Sequence, residues 1–197
     1  MLPHLRRMVG TLLSLTVLVT LLPSAASAAD AGLWRDLRTL EGMVVLYRHA
    51  IAPGGGDPAG FRLGDCSTQR NLSTEGRDQA RAIGRELRRQ QVSIDEVRSS
   101  RWCRARDTAR LMDVGPVRDT PALDSVFTAP ATRAARQERQ TRRIIRDHRG
   151  GSGVLLLVGH QANIIDLTGI APASGEGIVV RADRRGDIRV VGRIPAP

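Results

Sequence analysis

Two short apolar segments, each followed by a histidine, are the features that most constrain the fold of this chain. The first covers residues 43–48 and is followed by His49, and the second covers residues 154–158 and is followed by Gly159 and His160. Each segment is rich in Val and Leu and bounded by turn-forming residues, which predicts a buried strand. Because the carboxyl ends of parallel strands meet at one edge of an α/β sheet, the sequence predicts that the two histidines share one site.

Predicted helices and strands alternate along the rest of the chain. Helices are predicted over 74–91, 104–113 and 133–149, and further strands over 92–99, 177–183 and 187–194, the last two as a closing hairpin. Ser73 or Thr74 is the predicted N-cap of the first helix, and the proline-rich stretch 115–130 is a loop with room for one short strand. This order predicts an α/β fold, a three-layer α/β/α sandwich with a mostly parallel central sheet.

The predicted export segment covers residues 1–29. Two arginines precede the apolar stretch 11–22, and the small residues 26–28 offer a cleavage site. The apolar stretch is shorter than the roughly 20 residues that span a bilayer, so we expect cleavage and a periplasmic or secreted protein, while retention as an uncleaved anchor is left open. Residues 30–197 then form one domain without a stable membrane span.

The chain is strongly basic, with 30 Lys and Arg against 20 Asp and Glu, and all of its basic residues are arginine. This excess fits a solvated surface, or alternatively a surface that attracts anionic substrates or an anionic envelope. Only 3% of the residues are aromatic, and no basic stretch is interleaved with aromatics, which argues against a nucleic-acid partner. The cysteine and histidine spacing fits no metal site, so we expect no metal and no cofactor.

Four motifs follow one another in the order of a known family. They are Arg48-His49-Ala50, Asn71-Leu72-Ser73-Thr74-Glu75-Gly76-Arg77-Asp78-Gln79-Ala80, Ser99-Ser100 through Arg104-Ala105 to Thr108-Ala109, and Val158-Gly159-His160. In these motifs the chain resembles the histidine phosphatase superfamily, which is also called phosphoglycerate mutase-like and whose hallmark is Arg-His-Gly. Ala50 stands in place of that glycine. The resemblance implies the phosphoglycerate mutase-like sandwich and metal-independent phosphomonoester hydrolysis through a phosphohistidine.

The motif positions carry the residue types that phosphoryl transfer needs. A neutral imidazole can attack phosphorus, and its place at a strand end and its match to the family make His49 the candidate nucleophile. Arg48 and Arg104 are the candidate phosphate ligands, because a guanidinium offers paired donors to phosphate oxygens. Composition alone does not separate Arg104 from its neighbouring arginines, and the family register selects it. His160 is the expected second histidine donor to the phosphoryl group.

The proton donor is the least defined member of the predicted site. The resemblance implies an acidic residue between the arginine and the second histidine, where Asp124 is the favoured candidate and Ser125 matches almost as well. Glu176, in a glycine-flanked loop, is the alternative, and Asp57, in the glycine-rich loop after the first histidine, is a further candidate. Each of these acidic residues is also typical of a turn.

Cys66 and Cys103 are the only cysteines of the chain. An even count in an exported protein favours a disulfide, which would join the loop after the first strand to the residue before Arg104. Two buried thiols acting as small apolar side chains are the alternative.

Together these features predict an exported histidine phosphatase that acts on phosphorylated small molecules or envelope glycans. The alternative is a non-catalytic module that binds phosphate or polyanions on the same fold. The sequence leaves the natural substrate and the oligomeric state open.

Overall fold

A six-stranded sheet organises the protein, for which the computed structural model describes residues 25–197. The strands are β1 Met43–Arg48, β2 Ile94–Ser99, β3 Val117–Asp119, β4 Val154–Gly159, β5 Gly177–Ala182 and β6 Ile188–Ile194. Their spatial order is β3-β2-β4-β1-β5-β6. The first four of these are parallel, and β5 and β6 complete the sheet as an antiparallel hairpin.

Helices cover both faces of the sheet. They are α1 Ala25–Thr39, α2 Thr74–Arg89, α3 Cys103–Met112, α4 Ala131–Asp147 and α5 Gln161–Thr168. Side chains of α1, α2 and α3 pack with one face of the sheet, and those of α4 and α5 pack with the other. The predicted three-layer α/β/α sandwich is therefore confirmed.

The central strand β1 is buried on both faces. Met43, Val45 and Tyr47 belong to the core under α1, α2 and α3, whereas Val44 and Leu46 belong to the core under α4 and α5. This alternation follows from the two-residue side-chain period of a strand. A strand buried on both faces is apolar throughout, which is why residues 43–47 contain no charged side chain.

A glycine allows α2 to pack closely against the end of α3. A Cβ atom at Gly84 would lie 1.8 Å from the backbone oxygen of Met112, so any other residue would push the two helices apart. The N-terminus of α2 is fixed by Ser73, whose Oγ accepts a hydrogen bond from the backbone N–H of Gly76 at 3.1 Å. The two helices thereby hold the segments on which the site is built.

The predicted elements are found with small shifts of their ends, but two helices are not predicted from the sequence. The eight residues of α5 are shorter than the window in which helical periodicity can be recognised. The start of α1 overlaps the small residues 26–28, which sequence analysis interprets as a cleavage site and which also favour helix.

Most of the predicted export segment, residues 1–24, lies outside the described residues. Within residues 25–197, no helix has both the length and the apolar character needed to cross a bilayer.

Candidate active site

The two predicted histidines lie side by side at one edge of the sheet. β1 and β4 are paired in parallel with Arg48 opposite Gly159, so both strands end at the same level. The backbone N–H of His49 donates to the oxygen of Gly159 at 2.9 Å, which continues the pairing beyond β1. The ring centroids of His49 and His160 are 5.5 Å apart. The register of two parallel strands therefore assembles the core of the site.

One ring nitrogen of His49 is hydrogen-bonded to the backbone, and the other keeps its lone pair available. Its Nδ1 lies 2.8 Å from the backbone oxygen of Ala50. A carbonyl only accepts hydrogen bonds, so we assign the proton to Nδ1, which leaves the Nε2 lone pair available. Burial, reinforced by Arg104, Arg70 and Arg48, lowers the pKa of His49 to about 3, although the bond to Ala50 acts in the opposite direction. The ring is thus a neutral base at physiological pH.

His160 is held in the opposite way. Its Nε2 lies 2.8 Å from Ser100 Oγ, and this oxygen is 3.5 Å from the nearer oxygen of Asp124. The hydroxyl has one proton, and the shorter contact favours its donation to Nε2, which places the ring proton on Nδ1. Burial, followed by the nearby His49 and arginines, holds the pKa of His160 well below its ordinary value. His160 is thereby a neutral N–H donor.

In both Arg48 and Arg104, the terminal nitrogen Nη1 donates a hydrogen bond to another residue, whereas Nε has no partner within residues 25–197. Arg48 Nη1 donates to the oxygen of Pro172 at 3.0 Å, and Arg104 Nη1 donates to Asp57 Oδ1 at 2.6 Å. Both Nε atoms are buried and have no hydrogen-bond partner among the described residues. A buried donor without an acceptor is unfavourable by about 1–3 kcal/mol. An incoming phosphoryl oxygen is an acceptor that would satisfy these donors.

A third arginine, Arg70, belongs to the same charged cluster and is not singled out by sequence reasoning. Its Nε donates to the oxygen of Gly56 at 2.8 Å, and its Nη1 donates to the oxygen of Ala52. Burial lowers the pKa of Arg70, and the adjacent charges of Arg104 and Arg48 lower it further, although Asp57 opposes this. In a chain with so many arginines, only its place just before the N-cap of α2 distinguishes Arg70.

The two predicted proton donors are engaged in ion pairs. Asp124 accepts from Arg101 Nε at 2.9 Å, from Arg101 Nη2 at 2.5 Å and from the Arg101 backbone N–H at 2.9 Å. Glu176 accepts from Arg193 Nε at 2.5 Å and from the backbone N–H of Ala173 at 2.7 Å. The hydrogen bond from Arg193 outweighs burial and holds the pKa of Glu176 below its ordinary value, whereas a general acid must carry a proton. The assignment of the donor therefore stays a prediction.

The predicted disulfide is present and joins two segments of the site. Cys66 and Cys103 are bonded with their Cα atoms 5.7 Å apart. Cys103 begins α3 next to Arg104, and its backbone N–H donates to Gln69 Oε1 at 2.9 Å. The bridge thus attaches the loop between β1 and α2 to the first turn of α3.

Residues of the other motifs support the segment that follows His49. The backbone N–H of Ala50 donates to Thr108 Oγ1 at 3.0 Å, and that of Ile51 donates to Gln79 Oε1 at 3.1 Å. Ala50 is fully buried in a small apolar cluster, so the methyl group that replaces the family's glycine has a place in the core. These contacts explain why Thr108, Gln79 and Ala50 occupy their positions in the motifs.

The site combines a nucleophilic nitrogen, a neutral N–H donor and three guanidinium groups. These are the parts that attack at phosphorus and stabilisation of the phosphoryl oxygens need. Within residues 25–197, no group of three or more His, Cys, Asp or Glu side chains is arranged to hold a metal ion.

Comparison with known proteins gives a family match and several similar structures. The model of the histidine phosphatase superfamily (branch 1) matches residues 44–126, whereas no curated protein matches the chain. The protein histidine phosphatase SixA in complex with tungstate is similar at 20% identity and a TM-score of 0.53, with 78% of this chain and 97% of SixA covered.

Two mycobacterial structures share the fold as well. The product of open reading frame Rv3214 from Mycobacterium tuberculosis is 18% identical with a TM-score of 0.60, over 78% of this chain and 97% of its own. The mycobacterial glucosyl-3-phosphoglycerate phosphatase Rv2419c is 17% identical with a TM-score of 0.54, over 76% and 96%. At these identities the likeness establishes the fold. The family model matches the part of the chain that contains His49 and Arg104, so this part of the chain is similar to the histidine phosphatase superfamily.

Proposed function

We propose that the protein is a metal-independent phosphomonoester hydrolase that works through a phosphohistidine at His49. The observation that carries this proposal is the hydrogen bond from His49 Nδ1 to Ala50, because it leaves a neutral Nε2 beside three arginines. An imidazole in this state is a nucleophile without prior loss of a proton.

In the first step, the Nε2 lone pair of His49 attacks phosphorus and the bond between phosphorus and the ester oxygen breaks. Arg48, Arg104 and the Nδ1–H of His160 donate to the non-bridging oxygens, whose charge they stabilise. The leaving oxygen takes one proton, for which Asp124 is the predicted source and Glu176 the alternative.

In the second step, a water oxygen attacks the phosphohistidine and the bond between phosphorus and Nε2 breaks. The water gives up one proton, which returns to the group that acted as donor in the first step. Inorganic phosphate leaves, and His49 is again neutral with its proton on Nδ1. The overall reaction consumes one ester and one water.

We propose small or envelope-associated phosphate esters as the substrates. One similar structure is named for a sugar-linked phosphoglycerate and another for a phosphorylated protein histidine, so relatives of this fold use both small and protein-bound phosphates. Removal of residues 1–29 after export would place the domain of residues 30–197 in the periplasm or outside the cell. The disulfide supports an oxidising location.

A phosphate-binding module without turnover is the second candidate function. It is favoured by the engagement of Asp124 and Glu176 with arginines, because a site without a proton donor hydrolyses alkyl esters poorly. An aryl ester distinguishes the two candidates, since a phenolate needs little protonation to leave: a phosphatase with a weak proton donor turns it over, whereas a binding module does not.

The test is a panel of alkyl and aryl phosphates offered to the purified protein in the presence of a chelator. Hydrolysis of at least the aryl phosphate, with acid-labile and alkali-stable phosphate on the protein after rapid quenching, is expected. Phosphate binding without turnover of either ester would support the binding module instead. Turnover that appears only after a divalent metal is added would contradict metal independence.

A further inference from the structure

Asp57 forms a buried ion pair with Arg104, and neither step of the proposed reaction uses it. Asp57 Oδ1 accepts from Arg104 Nη1 at 2.6 Å, and Asp57 Oδ2 accepts from Arg104 Nη2 at 3.3 Å. The side chains are 17% and 3% exposed, respectively. Asp57 therefore contacts both terminal nitrogens of a guanidinium that is shielded from water.

The way in which Asp57 contacts Arg104 leaves one edge of the guanidinium unoccupied. A guanidinium has a terminal edge, formed by Nη1 and Nη2, and a side edge, formed by Nε and Nη2, and each offers two parallel N–H groups. Asp57 takes the terminal edge. On the side edge, Nε has no partner within the described part of the chain. The side edge has the donor spacing that two phosphoryl oxygens need.

Asp57 is itself fixed from two directions. Trp102 Nε1 donates to Asp57 Oδ2 at 2.9 Å, and the backbone N–H of Arg70 approaches Asp57 Oδ1 at 3.4 Å. Phe61, four residues after Asp57, stacks on Trp102 with a ring distance of 5.1 Å. Although burial raises the pKa of Asp57, hydrogen bonds from Arg104 and Trp102 outweigh that effect and hold its pKa below the ordinary value. Its carboxylate is thus charged and held in place.

We propose that Asp57 is a positioning residue, which holds the terminal edge of Arg104 so that the side edge is presented to a phosphoryl group. The inference rests on the proposed function only in that Arg104 is a phosphate ligand. Asp57 exchanges no proton with the substrate. It keeps Arg104 in one orientation and stabilises its buried charge.

A carboxylate could instead compete with phosphate for Arg104, and its removal would then change phosphate binding in the opposite direction from the removal of a positioning residue. Removal of such a competitor would free donors and remove a negative charge, so phosphate would bind more tightly. Removal of a positioning residue lets the guanidinium rotate, so phosphate binds more weakly. The sign of the change therefore distinguishes the two roles.

The test measures inorganic phosphate binding by calorimetry for Asp57→Asn, alone and combined with Arg104→Lys. Lysine keeps the charge but has no second edge to orient. With Arg104 present, Asp57→Asn is expected to weaken phosphate binding by roughly 10- to 100-fold. In the Arg104→Lys protein the same change is expected to have an effect of about twofold or less, because the partner through which Asp57 acts is gone.

Asp65→Asn is the matched control. Asp65 lies on the same loop and pairs with the exposed Arg62 at 2.7 Å, whereas the partner of Arg104 is Asp57, so the Asp65 variant should bind phosphate like the unmodified protein. Unchanged or tighter binding by Asp57→Asn would overturn the inference, as would an equal loss with arginine and with lysine at position 104, which indicates a general structural role. If the unmodified protein itself neither bound phosphate nor hydrolysed an aryl phosphate, the proposed function would fail as well.

Discussion

His49 and His160 occupy equivalent positions after two neighbouring parallel strands, yet they are prepared for different roles. His49 bonds through Nδ1 to a backbone oxygen, and His160 bonds through Nε2 to a serine hydroxyl. The two rings therefore carry their protons on the same atom but expose different atoms to the site. One offers the Nε2 lone pair and the other offers the Nδ1–H.

The difference teaches that the hydrogen-bond partner of a ring, rather than its place in the sheet, decides its chemistry. A carbonyl such as that of Ala50 can only fix the donor nitrogen, whereas the hydroxyl of Ser100 can serve a ring in either state. The same strand end can thus carry the proposed nucleophile on one strand and the proposed donor on the next.

The largest expected effect separates the two histidines by covalent labelling. His49→Ala should abolish both turnover and phosphate incorporation, because the attacking nitrogen is gone. His160→Ala should slow turnover by roughly 10²–10³-fold, as for loss of one donor to the transferring group, while phosphate still forms on His49. Quantified acid-labile phosphate after rapid quenching measures both.

His148→Ala is the control for the histidine pair, because His148 lies at the end of α4 and its Nε2 bonds to the backbone oxygen of Gly153, outside the site. Labelling that persisted in His49→Ala would contradict the assignment of the nucleophile. Labelling that was lost equally in His160→Ala would remove the distinction between the two rings.

The second prediction tests whether Asp124, which lies beside the Ser100 partner of His160, supplies the proton to the leaving oxygen. If Asp124 is the general acid, Asp124→Asn should slow cleavage of alkyl phosphates by about 10²–10⁴-fold and spare p-nitrophenyl phosphate, whose leaving group needs little protonation. Glu176→Gln is the parallel variant for the alternative donor. An equal effect of Asp124→Asn on both ester types would instead identify Asp124 as the partner that positions Arg101.

The third prediction concerns the hydroxyl that sets the state of His160. Ser100→Ala removes the bond to Nε2, so the ring proton is no longer confined to Nδ1, and kcat should fall by roughly 10-fold. Ser99→Ala is the matched control, since Ser99 is equally buried but its hydroxyl donates to the backbone oxygen of Ser100. Equal loss in both variants would indicate a packing effect rather than control of the tautomer.

The smallest effect on catalysis is expected from the disulfide, which joins the loop after β1 to the first turn of α3. The double variant Cys66→Ser and Cys103→Ser should lower the free energy of unfolding by about 2–4 kcal/mol, since the bridge closes a loop across 37 positions of sequence. The KM should rise more than kcat falls, because the freed loop carries Asp57 and Arg70. Thermal melting of the oxidised and reduced protein gives the first quantity, and an unchanged melting temperature would contradict it.

The fold was predictable because the apolar pattern of the strands and the helical spacing of apolar residues are both strong in this sequence. The apolar runs of β1 and β4 and the amphipathic face of α2 allow one secondary structure each. The helix α5 was not predictable, because its eight residues show no resolved period and form a helix by packing Ile164 and Leu167 against the sheet. Tertiary contacts, which the local sequence does not contain, decide such a segment.

The candidate site was predictable only in part. His49, Arg48, Arg104 and His160 follow from strand ends and motif order, and the structure brings their segments together. The contacts of Asp57, Ser100 and Arg101 were not predictable, because each depends on the orientation of a side chain across the site. Acidic residues next to glycine and arginines in an arginine-rich chain carry no distinguishing signal.

The order of the strands in the sheet also determines when an active site can exist during synthesis. Both neighbours of β1, namely β4 and β5, come from much later in the chain, at residues 154–159 and 177–182. A nascent chain that ends before residue 154 has an apolar β1 with two unpaired edges, a state prone to association with other chains. His49 acquires its neighbouring histidine only when β4 pairs with β1, so the candidate site is incomplete until residues 154–160 have been synthesised.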